Sequence, residues 1–267
     1  MIKISVVVPV YNEEKSINLL LQSLCNQSYK PNEILISDGG STDNTLSIID
    51  KFKFTDIKIK VYNRIGKCRG SGRNEGINNS TNDIIALIDA GAYADKFWLE
   101  KLLNSFNNSE KNIDIVYGAV KPITNNIFKE SIASIIISKS NYKEVIVPSV
   151  SSLLFKKKIW YDNKFPESKD GEYIVEDLVF LNKIKNFDTK SIKNYNAIVN
   201  WELPSTIKMV FNRFSNLSRG GIKAGFARTW HYGIIRNYCL FIILFFLSFS
   251  ISQYFLLLLI LFIFLRT

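Results

Sequence analysis

Histidine occurs once in the 267 residues and cysteine three times, at positions 25, 68 and 239, with no CxxC pair. An odd number of cysteines at unrelated spacings argues against a disulfide framework, and so few His and Cys side chains argue against a zinc site. No GxxxxGK[ST] stretch is present, which excludes a P-loop ATPase. No charged segment followed by an apolar one precedes Ile4, so no cleaved signal peptide is expected. Charge of either sign is missing from residues 237–265, a run of 29. As one helix at ~1.5 Å per residue this run is about 43 Å long, more than the ~30 Å hydrocarbon core of a bilayer. It can span with tilt, and the polar break at residues 248–253 also permits two short halves that dip in and return.

What is present is a basic chain of net charge +10, with its surplus placed unevenly. Residues 183–236 hold ten basic residues against Asp188 and Glu202, so most of the excess lies beside the apolar tail. The length suits one α/β domain plus an appendage, and residues 1–205 have the balance of an ordinary soluble domain.

Residues 4–8 are a continuous β-branched run, as expected of a strand buried on both faces. Ile17, Leu20, Leu21, Leu24 and Cys25 then follow helical spacing, completing a βα unit. A second strand over 33–37 leads to a helix over 45–52. A third, over 57–62, alternates Ile57, Ile59 and Val61 with lysines, as an edge strand would. A glycine-rich loop is expected over 66–76. Its GxGxxxG spacing is one residue too long for a dinucleotide fingerprint and does not follow the first strand. A fourth strand over 83–89 precedes a helix over 96–106. Further on, 150–155 reads as a strand, 156–161 as a short helix or turn, and Glu176 and Asp177 open a helix. Carboxylates are favoured at a helix start by the dipole even where they do no chemistry.

Two strands end in aspartate, Asp38 and Asp89, at the same edge of one parallel sheet, which is where open α/β sheets bind ligands. Either can be read as part of a helix cap, with Asp43 or Ser41 capping the helix at 45. Taken together, two carboxylates at that edge can accept ribose hydroxyl hydrogens and hold a divalent cation, so a nucleotide diphosphate is the economical ligand.

The segments Val7-Val8-Pro9-Val10-Tyr11-Asn12-Glu13, Ser37-Asp38-Gly39-Gly40-Ser41-Thr42-Asp43, Arg73-Asn74-Glu75-Gly76-Ile77, Ile88-Asp89-Ala90-Gly91 and Glu176-Asp177 resemble, in order, the motifs of family 2 glycosyltransferases. The likeness covers about residues 3–205. It implies a GT-A (Rossmann-like), mostly parallel sheet flanked by helices, with nucleotide sugar as donor. It puts Pro9, Tyr11, Glu13 and Asp38 on the nucleoside, Arg73 near the nucleotide and Asp89 on a divalent cation, Mg2+ or Mn2+. Asp177 becomes the catalytic base, with Glu176 orienting it or the acceptor. One departure concerns the cation: members usually carry Asp-x-Asp where this chain has Asp89-Ala90-Gly91, so the second metal-binding carboxylate of that motif is missing.

Residues 206–219 place Ile207, Val210, Phe211, Phe214 and Leu217 on one face and Lys208, Arg213 and Arg219 off it, suiting either a membrane interface or a packing helix. Arg219-Gly220-Gly221 follows. His231 can be a late metal ligand, although Trp230-His231-Tyr232 reads better as an interfacial belt. The expected organisation is a catalytic domain over 1–205, a basic interfacial segment over 206–235 and a membrane-inserted segment over 236–267. The expected activity is inverting transfer of a sugar from a nucleotide diphosphate to a lipid-linked or growing glycan acceptor, with the enzyme on the cytoplasmic face of a membrane and no nucleic acid as partner. A non-catalytic GT-A scaffold is the alternative, and a nucleotidyltransferase a more distant one.

Overall fold

The computed structural model describes residues 2–52, 56–63, 68–107, 112–136, 149–167, 175–185, 189–226 and 242–243. The chain divides into two compact units, Met1–Arg213 and Phe214–Thr267.

The first unit opens with β1 (Ile4–Val10), α1 (Ile17–Cys25), β2 (Glu33–Asp38), α2 (Thr45–Asp50), β3 (Lys58–Asn63), α3 (Arg69–Asn78) and β4 (Ile84–Leu87). It continues through β5 (Ala92–Ala94), α4 (Trp98–Asn107), β6 (Ile115–Ile123) and α5 (Ile127–Ile136). A 3-10 turn, Val150–Ser152, leads into β7 (Leu153–Lys156), α6 (Lys157–Asp162), α7 (Glu176–Lys185), β8 (Ser191–Glu202) and the start of α8 (Ile207–Lys223). The eight strands form one sheet in the order β3-β2-β1-β4-β7-β6-β8-β5.

All seven residues of β1 are buried, and their side chains alternate between two cores. Ile4, Val6, Val8 and Val10 face α1 and α4, meeting Leu20, Leu21, Leu24, Trp98 and Leu102. Val7 faces the other way, among Ile77, Leu87, Trp160, Phe165 and Phe180. Helices thus cover both faces, which is why the strand reads as an unbroken apolar run. Each fully buried aliphatic side chain contributes roughly 1.5–3 kcal/mol before conformational entropy is subtracted. β3 lies at the sheet edge with no buried residue, as its lysine alternation predicts.

The sheet is mostly parallel, as expected, and two reversed strands make it mixed. Strands β1–β4 pair in parallel and so do β6 and β8, but β7 runs against β4 and β6, and β5 against β8. The direction of β5 is set by its partner β8, with Ala92 opposite Trp201 and Ala94 opposite Val199, and not by β4, which precedes it in sequence but does not pair with it.

The expected glycine-rich loop needs correction, because most of it is α3. Gly70 and Gly76 serve close packing rather than turning. A Cβ on Gly76 would lie 2.4 Å from Cγ1 of Val7 in β1, and one on Gly70 would lie 2.2 Å from the Pro166 carbonyl oxygen. Two smaller differences follow. The expected strand over 150–155 begins as a 3-10 turn, and Arg219, Gly220 and Gly221 lie inside α8 rather than after it.

α8 ends in a Schellman arrangement. Gly225 sits at φ +80°, its N–H donates to the Ile222 carbonyl, and the Phe226 N–H donates to Gly221 at 2.8 Å. Several of its apolar residues are open, Ile207 being 77% and Phe211 72% exposed, while Val210 is half-buried against Ile132, Ala133 and Leu203. Among the described residues no helix is long and apolar enough to cross a membrane. The run 237–265 lies outside them except for residues 242–243, as do His231 and its aromatic neighbours.

Candidate active site at the carboxyl end of the sheet

Parallel pairing of β1 with β2 and β4 brings the ends of three strands together, with Val10 beside Asp38 and Val7 beside Leu87. Pro9 is the penultimate residue of β1, opposite Ser37, and Tyr11 and Glu13 follow in the loop to α1. Asp38 is buried and closes its own turn. Oδ2 accepts from the N–H groups of Gly40 (3.0 Å) and Ser41 (2.9 Å), and Oδ1 accepts from the Ser41 hydroxyl (2.5 Å). Gly40, at φ +86°, takes a conformation that a side chain would strain.

This turn is tied to the loop after β1. The Asn12 N–H donates to Oγ of Ser41, the Thr42 N–H to Oδ1 of Asn12, and the Glu13 N–H to Oγ1 of Thr45, each at 2.8 Å. Asp43, expected as a candidate cap, accepts from both the N–H and hydroxyl of Thr45, although Asn44 occupies the N-cap position.

Asp89 lies two residues beyond β4, where its carboxylate meets Arg73 from α3. Nη2 of Arg73 donates to Oδ1 of Asp89 at 2.6 Å, Nη1 donates to Oε1 of Glu176 at 2.9 Å, and the guanidinium carbon is 5.3 Å from the centre of the Phe165 ring. One buried cation therefore links the strand-end acid to the acid that opens α7. Nε of Arg73 is buried and has no hydrogen-bond partner among the described residues. Burial works against ionised Asp89, yet the charges of Arg73 and Arg69 outweigh it and hold the carboxyl below its ordinary range. Glu176 moves the other way, because its burial outweighs the attraction of Arg73 and raises it. Asp177, the next residue, is only partly buried and accepts the Leu178 N–H at 2.9 Å.

Several contributors were not anticipated. The hydroxyl of Ser151 donates to Oδ2 of Asp89 from a turn 62 positions away, and nothing local in the sequence marks it. Asn74 pins the segment before 168: Nδ2 donates to the Phe165 carbonyl (2.8 Å) and Glu167 (2.7 Å), while Oδ1 accepts from Nε1 of Trp160 (2.8 Å). Its place beside Arg73 in the motif was the available signal.

Glu13 reaches across to the loop after β4. Its two carboxylate oxygens lie 3.8 and 3.9 Å from where a Cβ on Gly91 would stand, and Oε2 accepts the Ser16 hydroxyl. Burial raises the Glu13 carboxyl, with the neighbouring Asp89 adding to that push. Among the described residues no group of three or more His, Cys, Asp or Glu side chains could hold a metal ion. Carboxylate oxygens suit a hard cation where other ligands complete its shell. Mg2+ is commonly held by one or two carboxylates, with phosphate oxygens and water completing its shell.

The family described as Glycosyl transferase family 2 matches residues 5–161. A dolichyl N-acetyl-alpha-D-glucosaminyl phosphate 3-beta-D-2,3-diacetamido-2,3-dideoxy-beta-D-glucuronosyltransferase from Methanococcus voltae is 35% identical over 142 residues, which is 51% of this chain and 44% of that protein. Residues 1-349 of TarS from Staphylococcus aureus, in complex with UDP-GlcNAc, superpose with a TM-score of 0.60 at 23% identity, covering 78% of this chain and 61% of that one. The mannosyltransferase PcManGT from Pyrobaculum calidifontis, in complex with GDP-Man and Mn2+, gives 0.59 at 19% identity, covering 83% and 64%. These two likenesses establish a shared GT-A-like α/β fold. The chain spans less than half of the archaeal relative and under two thirds of either solved chain.

Proposed function

The chain belongs to glycosyltransferase family 2, and on that premise we propose that it transfers a sugar, with inversion, from a nucleotide diphosphate to a lipid-linked or growing glycan acceptor. The observation that carries this reading is the Arg73 bridge, which couples Asp89 at the sheet edge to Glu176 beside Asp177. Donor-side and acceptor-side acids are thus held by one buried guanidinium.

Pro9, Tyr11 and the Asp38 turn frame the nucleoside, with Arg73 behind the diphosphate. Asp177 takes the proton of the acceptor hydroxyl as its oxygen bonds to the anomeric carbon and the bond to the leaving diphosphate breaks on the opposite face. Glu176, fixed by Arg73, orients Asp177 or the acceptor. Asp89 is the residue that would hold a divalent cation. A bound cation supplies positive charge against which the diphosphate departs.

The exposed apolar residues of α8, its lysines and arginines, and the charge-free run 237–265 support attachment to a membrane, with the catalytic unit on the cytoplasmic side that the basic residues favour. The test is incubation of the full chain with UDP- and GDP-sugars, with and without a lipid-linked acceptor. Acceptor-dependent release of free nucleoside diphosphate is expected. Nucleotide sugar bound but never turned over with any acceptor would favour the scaffold instead.

A further inference from the structure

Gly91 follows Asp89 by two residues on the loop that leaves β4, and its lack of a side chain has no backbone cause. Its φ lies outside the left-handed region; among the described glycines only Gly40 and Gly225 adopt it. Its lack of a side chain has no packing cause either. Within 4 Å of the point where its Cβ would stand, the atoms met among the described residues are Oε1 and Oε2 of Glu13, at 3.8 and 3.9 Å. By comparison, Gly70 and Gly76 in α3 would drive a Cβ to 2.2 and 2.4 Å from their neighbours. The space over Gly91 is thus open to a side chain and bordered by a carboxylate that arrives from the β1–α1 loop.

That carboxylate is held in place. The Glu13 backbone N–H is anchored to Thr45, and its Oε2 accepts the Ser16 hydroxyl. Asp89, on the same loop as Gly91, is oriented by Arg73 and Ser151. Glu13 and Asp89 repel across a bare residue, and the cations near them are Arg69, which attracts both, and Arg73, which also serves Glu176. A hard cation shared by two carboxylates, with phosphate oxygens and water completing its shell, answers both the charge and the opening.

We infer that Glu13 supplies the second carboxylate of a divalent-cation site with Asp89, standing in from the β1–α1 loop for an acid that position 91 does not carry. The inference rests on the transferase reading for its nucleotide diphosphate. It makes Glu13 a cation ligand rather than a nucleoside contact. An aspartate placed at 91 would enter the open space that Glu13 borders without displacing it, so an acid at either position should be able to supply the carboxylate and acids at both should add.

The experiment titrates the full chain in detergent with Mn2+ at fixed UDP, and separately at fixed GDP, following bound Mn2+ by loss of the free-ion paramagnetic resonance signal. Thermal melting of each variant reports folding. Glu13→Gln should weaken Mn2+ binding by about tenfold or more, as loss of a ligand does, and Gly91→Asp added to it should bring the affinity back to within about threefold of wild type. Gly91→Asp alone, which leaves Glu13 in place, should bind Mn2+ more tightly than wild type. A normally folded Glu13→Gln within about threefold of wild-type affinity, a double variant that does not recover, or an unchanged Gly91→Asp would each overturn the inference. Nucleotide affinity measured by calorimetry in EDTA keeps the two conclusions apart. UDP or GDP bound equally well with and without Mn2+ removes the cation site and leaves the transferase standing. Absence of nucleotide binding under every condition removes the transferase reading itself.

Discussion

Asp177 and Glu176 are neighbours in sequence with opposite surroundings. Glu176 is 4% exposed and bonded to Arg73, whereas Asp177 is partly open and bonded to its own helix start. A base must reach the acceptor, and of the two only Asp177 is accessible to one. Asp177→Asn should therefore lower transfer by roughly 10²–10⁴-fold while nucleotide-sugar affinity stays near wild type. Steady-state transfer together with donor titration checks this, and transfer within about threefold of wild type would end the assignment.

At the scale of elements, the sheet has two ends with different duties. Opposite the candidate site, Glu33 at the start of β2 accepts from the Ser5 hydroxyl (2.7 Å), Lys60 (2.7 Å), and the Thr81 N–H (2.6 Å) and hydroxyl (2.8 Å), stitching the amino ends of β1, β2 and β3 to the chain entering β4. Burial pushes the Glu33 carboxyl up, but Lys60, Thr81 and Ser5 outweigh it and bring it from 4.5 to about 2. A depressed carboxyl stabilises the fold above its unfolded value, and that contribution is lost as pH falls from about 4.5 through about 2. Glu33→Gln should therefore lower the melting temperature at pH 7 and flatten its fall between those values, measured by thermal melts across pH. Helix α3 makes a separate prediction. Gly76→Ala drives a methyl into Val7, and overpacking of about 1–3 kcal/mol should exceed the ~1 kcal/mol gained in helix propensity. In a Val7→Ala background the clash disappears and the same change should become neutral or stabilising, which a urea-melt cycle of the four variants reads directly.

At the scale of the molecule, the proposed catalytic residues lie in the unit Met1–Arg213, and the charge-free run lies in the other. Basic residues near an anionic surface each add on the order of 1 kcal/mol of attraction, so residues 183–236 and the apolar run should act together. A chain ending at Phe226 should still bind nucleotide sugar and release nucleoside diphosphate slowly. It should float less with anionic vesicles than the full chain does, and transfer poorly to an acceptor embedded in them. Full-rate transfer to embedded acceptor by a chain that remains in the aqueous fraction would show that the tail is dispensable.

Periodicity and end signals determined much of this protein from the sequence alone. An apolar run buried on both faces, strands closing in aspartate and helices spaced at 3.6 residues are local patterns, and the β1–α1–β2–α2–β3 succession, the edge position of β3 and the acidic start of α7 follow from them. The glycines of α3 were misread because a turn and a close helix–sheet approach demand the same residue, and only the position of Val7 distinguishes them. The reversed strands β7 and β5 were beyond local reading, since strand direction is set by which partner supplies the ladder hydrogen bonds. The Arg73 bridge, Ser151 on Asp89 and Glu13 beside Gly91 join positions 16 to 103 residues apart. Such contacts arise when the sheet and its covering helices converge, and tertiary packing alone decides which charges meet.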